Sequence, residues 1–210
     1  MNIKYSPLGD EHILIEFGDK ISKEILMNVM ACSDAVAPMV EEYKTAYTTL
    51  MVKYNPLEYE YSAFVKKLDD TIQNVDASSG FSPQTHIIKT QYSGEFGQDL
   101  KRVAKHNKLT EKQVVKLHTE NIYTVYMIGF LPGFCYLGGL DKRLSTPRLE
   151  VPRKKIVKGS VGIAGEQTGV YPIASPGGWN IIGRTEFEFF KYDDPPCEVK
   201  PGDSIRFLEV

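Results

Sequence analysis

Arginine side chains are concentrated in one part of the chain, where they could bind a negatively charged group. Between Lys142 and Arg184 there are eight basic residues and only two acidic ones, although the 210-residue chain has a formal net charge of −2. A local excess of positive charge indicates an anionic partner: a carboxylate, a phosphate or an acidic protein surface. Arg148, Arg153 and Arg184 lie next to or near Pro or Gly turns, where a fixed guanidinium can grip an oxyanion with two hydrogen bonds. A structural role fits these three positions equally well.

One histidine and a set of turn residues could complete a site around those arginines. His118 lies at the end of a predicted helix, so its imidazole could act as an acid, a base or an anion-binding group, or could simply stabilise the helix end. The candidate ligand-contacting residues are Gln167, Tyr171, Gly177, Gly178 and Trp179. Polar groups on tight turns suit the recognition of a small amide or carboxylate. Turns are also polar for structural reasons, however, and a lone tryptophan often only fills the end of a barrel.

Several familiar catalytic and metal-binding motifs are absent from the sequence. It contains no P-loop, no GxSxG elbow, no HExxH motif and no EF-hand loop, and no metal ligand is predicted. Cys32, Cys135 and Cys197 are odd in number, widely spaced and without a CxxC pair, which argues against a disulfide framework and suits a reducing compartment. We interpret Cys135 as a buried core residue rather than a nucleophile.

The N-terminal sequence and the hydropathy of the chain bear on its location. The segment MNIKYSPLGDEH lacks the apolar core of a signal peptide, and no apolar run is long enough to span a membrane. We therefore expect a cytoplasmic protein, with no membrane and no nucleic acid among its partners.

The candidate residues lie in a region that is rich in glycine and proline but also in aromatic and β-branched residues. From Ile128 onward the chain holds 12 of its 17 glycines, 8 of its 12 prolines and its only tryptophan. Disordered chain is poor in aromatic and β-branched residues, so we expect rigid turns between short strands. Further strands are predicted from HIIKTQY, NIYTVYMIGF, NIIGRTEFEFF and SIRFLEV. Together they indicate an all-β barrel or sandwich.

Helices are also predicted in both halves, and the first half has its own pattern. Its elements are a strand over His12–Phe17, a helix from about Ile21 to Ala31, one or two strands within Val40–Tyr54 and, after Asn55–Pro56, a helix to about Val75. This order describes a small α+β sandwich, followed by a linker over Asp76–Gln84. In the second half a short helix is expected around Asp99–His106, and a Thr110–Gln113 capping box predicts another that ends near Thr119. We predict two domains, residues 1–80 and residues 85–210, the second carrying the site.

Three segments of the second half resemble a known family. IGFLPGFCYLGGL, TPRLEVPRKKIVKGSVGIAGEQTGVYP and SPGGWNIIGRT are similar to the KipI family, also described as the B-type subunit of 5-oxoprolinase or as allophanate hydrolase subunit 1. The resemblance runs from about Tyr92 to Val210 at motif level, includes the LHT context of His118, and extends loosely over the first eighty residues. It implies a cyclophilin-like barrel, so the expected fold is an α+β N-terminal domain followed by a mainly-β cyclophilin-like barrel domain.

The resemblance also implies an activity. Proteins of this kind act as one subunit of an ATP-dependent 5-oxoprolinase, which opens the lactam of 5-oxoproline to L-glutamate. It thus implies ATP and Mg²⁺ for the complex, partner subunits of the 5-oxoprolinase A and C type, and a small anionic substrate. Negative charge develops on the lactam oxygen, so we assign anion stabilisation to Arg148, Arg153 and Arg184 and proton handling to His118. Substrate or nucleotide contacts are assigned to Gln167, Tyr171, Gly177, Gly178 and Trp179.

Two alternative functions follow from the same resemblance. A KipI-type protein, countered by a KipA-like partner, inhibits a sensor histidine kinase, and the barrel would then be a recognition surface. A carboxyltransferase-like subunit related to urea amidolyase is the other alternative, although the chain has no biotin-carrying MKM-type site. The convergence of charge and glycine favours the enzyme subunit, which we expect to be inactive alone.

Overall fold

The computed structural model describes residues 3–76, 82–192 and 197–210. The chain is a mixed α/β protein with few helices, and it forms two compact units, Met1–Ser82 and Pro83–Val210. Most of the predicted linker over Asp76–Gln84 lies outside the described residues, because 77–81 are not among them. No helix in the described ranges is both long enough and apolar enough to cross a bilayer.

The first unit is an antiparallel sheet with two helices packed on its core. Its elements are β1 (Lys4–Leu8), β2 (His12–Glu16), α1 (Lys23–Val36), β3 (Glu42–Thr45), β4 (Thr49–Lys53) and α2 (Tyr61–Ile72). The strands are ordered β1-β2-β4-β3. Strand alternation buries Ile13 and Ile15 of β2 and Leu50 and Val52 of β4, and α2 contributes Phe64 to the same core.

Three features of this unit differ from the prediction. Helix α1 continues to Val36, because Cys32 and Val36 extend its buried stripe. Helix α2 begins only at Tyr61, since the chain after Asn55 first forms a turn in which the Asn55 side chain accepts from the amide of Leu57 at 3.0 Å. Strand β1 was not predicted, and it includes a proline, which is tolerated because β1 is an edge strand.

The second unit is built on a seven-stranded sheet that is nearly closed like a barrel. The strands of this unit, including two outside the large sheet, are β5 (Thr85–Thr90), β6 (Tyr123–Ile128), β7 (Cys135–Gly138), β8 (Arg153–Ile156), β9 (Ser160–Ala164), β10 (Gln167–Val170), β11 (Ser175–Gly177), β12 (Asn180–Arg184) and β13 (Ser204–Glu209). The order is β12-β9-β10-β7-β6-β13-β5, and β8 pairs separately with β11. Gln91, just after β5, exchanges two backbone hydrogen bonds of 2.8 Å with Arg184 of β12. The two end strands of the sheet therefore touch at one point.

Two helices and the barrel interior complete this unit. They are α3 (Leu100–His106) and α4 (Glu111–Glu120). The predicted capping box at the start of α4 is confirmed: the Gln113 amide donates to Thr110 Oγ1 at 3.2 Å, and the Thr110 amide donates to Gln113 Oε1 at 2.8 Å. The NIIGRTEFEFF segment forms a strand only to Arg184. Beyond it the chain leaves the sheet and returns Phe189 to the core.

Candidate functional site

A cavity of about 400 Å³ opens among the glycine-rich turns of the second unit. Four segments contribute to its lining: Phe130 to Tyr136 before and within β7, the loop with Arg148 and Pro152 before β8, Tyr171 after β10, and Ser175 to Trp179 in and after β11. The cavity thus lies inside the region in which composition concentrates glycine, proline and positive charge.

The walls of the cavity are aromatic rings in edge-to-face contact. The Phe134 ring centroid lies 5.2 Å from that of Tyr171 at 81° and 5.3 Å from that of Trp179 at 89°. The Tyr136 ring packs on Phe134 at 4.9 Å and 61°. Phe134, Tyr171 and Trp179 are all buried. Edge-to-face contacts between buried rings are favourable and hold each ring in one orientation. The walls are therefore formed before a ligand binds.

Glycine at one wall position is required by close packing. Gly177 pairs with Arg153 between β11 and β8. A Cβ at Gly177 would collide with the Tyr171 hydroxyl and with Ile156, so no other residue fits there without displacement of the wall. The next residue, Gly178, accepts a hydrogen bond of 2.8 Å from the Leu149 amide. That bond ties the Arg148 loop to the SPGGW turn and holds Arg148 beside the cavity.

Arg148 is the charged group of the cavity. Its side chain is exposed, and in the described part of the chain it has neither a hydrogen-bond acceptor nor an acidic partner. Burial raises the pKa of Tyr171 to about 12 and also raises that of Tyr136, while the positive charge of Arg148 opposes both shifts. Arg148 therefore acts electrostatically on two walls of the cavity and is available to bind an anion.

Phe130, at the mouth of the cavity, has a strained backbone. Its φ is 71°, in the left-handed region that bulky residues avoid, and its side chain is 63% exposed. Its ring meets that of Phe134 edge-on at 5.6 Å. A strained aromatic residue held open at a cavity mouth is typical of ligand-contacting positions.

Sequence reasoning overlooked the aromatic side of this site. Phe130, Phe134 and Tyr136 belong to the aromatic residues from Ile128 onward that indicate a folded region, and none of the three is among the predicted site residues. The available signal was their spacing in FLPGFCY, where a positive-φ Gly133 and a proline hold aromatic residues close together. Of the predicted site residues, the structure brings together Arg148, Tyr171, Gly177, Gly178 and Trp179.

His118 lies elsewhere, in the core of the barrel. It is completely buried, with its ring 4.6 Å from that of Phe207. Nδ1 is 2.8 Å from the Tyr92 hydroxyl and Nε2 is 2.9 Å from Thr168 Oγ1, whose own hydrogen is donated to the Gly162 carbonyl at 3.0 Å. Each of these hydrogen bonds has one proton if the Tyr92 hydroxyl donates to Nδ1 and the imidazole carries its hydrogen on Nε2, which donates to Thr168 Oγ1.

This arrangement fixes the protonation state of His118. Burial lowers its pKa to about 3, so the ring is neutral at pH 7. Both ring nitrogens are engaged in the core, and neither reaches the cavity or caps the end of α4. The placement therefore supports a structural role and offers no route for proton transfer to a ligand in the cavity.

The remaining predicted residues also lie outside the cavity lining. Arg153 donates from Nη2 to Asp99 Oδ1 at 2.7 Å, and Asp99 Oδ2 in turn accepts from the Ile181 amide at 2.7 Å, which joins β8 to β12. Gln167 starts β10 after a two-residue hairpin turn at Gly165 and Glu166. Arg184 lies at a different groove, beside β5.

The residues around the cavity do not fit a magnesium–nucleotide complex. Among the described lining residues none is acidic, and Arg148 is the one ionised side chain. Across residues 3–76, 82–192 and 197–210 there is no cluster of three or more His, Cys, Asp or Glu side chains that could hold a metal ion.

Comparison with known proteins identifies relatives over the whole chain. The family model described as the carboxyltransferase domain, subdomains C and D, matches residues 3–199. The B-type 5-oxoprolinase subunit of Bacillus subtilis (strain 168) is 36% identical over 227 residues, covering 100% of this chain and 95% of that protein. The corresponding 5-oxoprolinase subunit of Haemophilus influenzae is 42% identical over 165 residues, covering 78% of this chain and 74% of the relative.

A solved structure has the same fold. The crystal structure of TTHA0988 superposes with a TM-score of 0.82 at 30% identity and covers 95% of this chain. The chain spans 40% of the length of TTHA0988, so most of that longer protein has no counterpart here.

Proposed function

We propose that this chain is a subunit of a 5-oxoprolinase, because it belongs to the family of the carboxyltransferase domain, subdomains C and D. Within that family it belongs to the B-type subunits of 5-oxoprolinase. The proposed reaction is the hydrolysis of 5-oxoproline to L-glutamate by a complex that contains two further subunits, of the A and C type. We further propose that residues 85–210 are a cyclophilin-like barrel domain that follows an α+β domain of residues 1–80. Three free cysteines are consistent with the reducing cytoplasm that we propose as its compartment.

The structural observation that supports this proposal is the aromatic cavity with Arg148 as its charged group. The substrate 5-oxoproline is a small ring with an amide and one carboxylate. Its ring faces suit the rigid walls of Phe134, Tyr171 and Trp179. Its carboxylate suits the Arg148 guanidinium, which has no acidic partner among the described residues. We propose that Arg148 binds the carboxylate with two hydrogen bonds and orients the lactam.

The other proposed roles are revised by where the side chains lie. Arg153 is paired with Asp99, so we propose that it positions the β8–β11 wall rather than binds substrate. Arg184 and Gln167 are outside the cavity lining, and for the buried His118 we propose a purely structural role. Charge on the lactam oxygen would then be stabilised by groups from another component of the complex.

ATP and Mg²⁺ remain part of the proposal for the complex. ATP would supply phosphorylation of the lactam oxygen, which makes a stable amide open to water. Since the lining residues do not fit a magnesium–nucleotide, we propose that both are held by one of the partner subunits, and that this chain binds and orients the substrate. This division of labour is consistent with the expectation that the chain is inactive alone.

The test is glutamate formation by the reconstituted complex. The chain is co-purified with the products of its neighbouring genes and assayed with 5-oxoproline, ATP and Mg²⁺, against the same mixture without this chain. We expect Arg148→Ala to lower kcat/KM at least about 100-fold, chiefly through KM, because a charge-assisted bidentate contact is lost. Arg143→Ala is the matched control, since that arginine is exposed in the same basic region and its ion pair is with Asp141.

Two results would contradict the proposal. If Arg148→Ala retains full activity, the cavity is not the substrate site. If a complex forms but no glutamate appears, the activity is another one, and autophosphorylation of a panel of sensor histidine kinases in the presence of the chain then tests the inhibitor alternative.

A further inference from the structure

A second groove of about 410 Å³ follows the open side of β5 in the second unit. Ile87, Lys89 and Gln91 form one wall, and the segment Arg184 to Phe187, just after β12, forms the other. Strands β5 and β12 meet only where Gln91 pairs with Arg184. The groove is therefore the remaining gap in the nearly closed sheet, and β5 is an edge strand along it.

The backbone of β5 directs hydrogen-bonding groups into this gap. On its inner side β5 pairs in parallel with β13, where the Gln84 carbonyl accepts from the Ser204 amide and the Thr90 carbonyl accepts from the Val210 amide. The backbone N–H and C=O of Gln91 point to the opposite side of the strand, toward the backbone of Arg184. Because these directions alternate along a strand, Ile87 and Lys89 direct their amides and carbonyls to the same side as Gln91, where β12 no longer runs alongside. Two consecutive pairing sites are thus left open.

The side chains around the gap indicate what kind of segment would fit. Ile87 is 63% exposed and Val210 62% exposed, and Phe187 adds a partly buried ring. Among the lining side chains, Lys89 and Arg184 are cationic and Glu186 is anionic. Within the described residues neither cation has an ion pair or a side-chain hydrogen bond. An apolar groove with more cationic than anionic side chains and with open main-chain groups matches an extended segment that carries acidic side chains between apolar ones.

We propose that this groove is the docking site of a partner subunit, which adds an extended, acid-bearing segment to β5 as a further strand. Main-chain hydrogen bonds to Ile87 and Lys89 would provide affinity, and pairing with Lys89 and Arg184 would select an acidic partner. The proposal rests on the proposed function only in taking the occupant to be another subunit of the 5-oxoprolinase. A dependence on other subunits is consistent with relatives that are themselves named as subunits and with the match of this chain to 40% of a longer protein.

The first test is amide hydrogen exchange of the intact chain, alone and in the co-purified complex. We expect the amides of Ile87 and Lys89 to exchange rapidly in the isolated chain, because they face the gap, and at least about tenfold more slowly in the complex. The amides of Ile88 and Thr90 face β13 and serve as internal references that should be protected in both samples. Unchanged exchange at Ile87 and Lys89 on complex formation would overturn the proposal. Protection that instead rises with the concentration of the isolated chain would mean that a second copy occupies the groove, which would also overturn it.

The second test uses substitutions at one position. Lys89→Pro removes a donor that faces the gap but none that bonds β13, so the sheet can form while strand addition is blocked. We expect the dissociation constant for the partner subunits to rise at least about tenfold, with an unchanged melting temperature of the isolated chain. Lys89→Thr keeps the donor and removes the charge, and it should weaken binding only a few-fold. Arg206→Ala, an exposed change on the neighbouring β13, is the matched control and should bind as the wild type does.

The outcomes separate this inference from the proposed function. A complex that protects β5 and is lost in Lys89→Pro, yet forms no glutamate, would leave the docking site standing and remove the activity. A complex that forms glutamate and assembles equally well with Lys89→Pro would keep the activity and remove the docking site.

Discussion

Two polar groups in the second unit, His118 and Arg148, both lie beside aromatic rings but differ in whether their hydrogen bonds are satisfied. The His118 ring packs on Phe207 and is completely buried, and each of its nitrogens has a partner within 2.9 Å. Arg148 borders Tyr136 and Tyr171 in the cavity, is exposed, and has no acidic partner in the residues that the structure describes. A buried side chain whose hydrogen bonds are all made stabilises the fold. An unpaired cation beside rigid aromatic walls can instead form its hydrogen bonds with a ligand. The comparison predicts that changes at the first group alter stability and changes at the second alter binding.

The largest effect on stability is expected for His118→Ala. The change leaves the Tyr92 and Thr168 hydroxyls without their buried partner and opens a cavity beside Phe207. Together these should lower the free energy of unfolding by about 4 kcal/mol, measured by urea denaturation. His106→Ala, an exposed histidine on α3, is the control and should change it by less than about 0.5 kcal/mol. A variant that unfolds like the wild type but loses glutamate formation would reverse our assignment of His118 to the core.

A pH dependence should follow from the same burial. The folded-state pKa of His118 is about 3 and its ordinary value is 6.5, so between these values the unfolded chain binds a proton that the folded chain does not. The stabilisation is therefore complete above about pH 6.5 and is lost as the pH falls toward 3. At pH 4 the loss should be on the order of 3 kcal/mol relative to pH 7.

The measurement compares urea denaturation of the wild type and of His118→Gln at both pH values. Acidic residues titrate in the same range in both proteins, so the difference between the two curves isolates the histidine. If both proteins lose the same free energy between pH 7 and pH 4, the ring is not held neutral by burial.

The contrast between these two groups also marks how far sequence could be taken. Apolar periodicity predicted the strand–helix–strand order of the first unit, and the Thr110–Gln113 pair predicted the start of α4. Composition located the cavity, because glycine, proline and arginine are combined where rigid turns surround a cation. Such signals are local in the chain, and local rules decide them.

What could not be predicted is which way individual polar side chains point. His118 lies in the last turn of α4, where a side chain can face either the core or the solvent. Its direction is set by packing on Phe207 of β13, which the local sequence does not show. Arg153 lies in β8, whose pairing with β11 is irregular between Ser175 and Gly177, so simple alternation does not fix its side. The gap beside β5 depends on β12, which lies some ninety residues further along the chain. These placements are tertiary, and the sequence pattern around each residue carries little information about them.

A smaller stability effect is expected at the Asp99–Arg153 pair. Asp99 is buried and accepts from both Arg153 and the Ile181 amide at 2.7 Å. Asp99→Ala should cost about 2 to 3 kcal/mol, below the range for fully buried pairs because the Arg153 side chain is 29% exposed. Denaturation of the single and double variants with Arg153→Leu gives the coupling. We expect the double variant to be less destabilised than the sum of the two single variants, because it leaves no stranded charge. Additive losses would mean that the pair does not act as a unit.

The smallest expected effect on stability is at Phe130, where strain and binding should separate. Phe130→Gly relieves a φ of 71° but loses the edge-on contact with Phe134, and the two changes, each worth about 1 kcal/mol, should nearly cancel in the free energy of unfolding. Affinity for 5-oxoproline in the complex should nevertheless fall roughly fivefold, since one wall at the mouth is removed. Phe130→Asn is the matched control, because asparagine tolerates the left-handed region and also lacks the aromatic ring. If Asn and Gly weaken binding alike while both proteins stay as stable as the wild type, the ring itself contacts the ligand. If Phe130→Gly is markedly more stable than the wild type and binds 5-oxoproline equally well, the backbone strain at Phe130 has no role in binding. The contrast between the His118 core and the cavity would then depend on Arg148 alone.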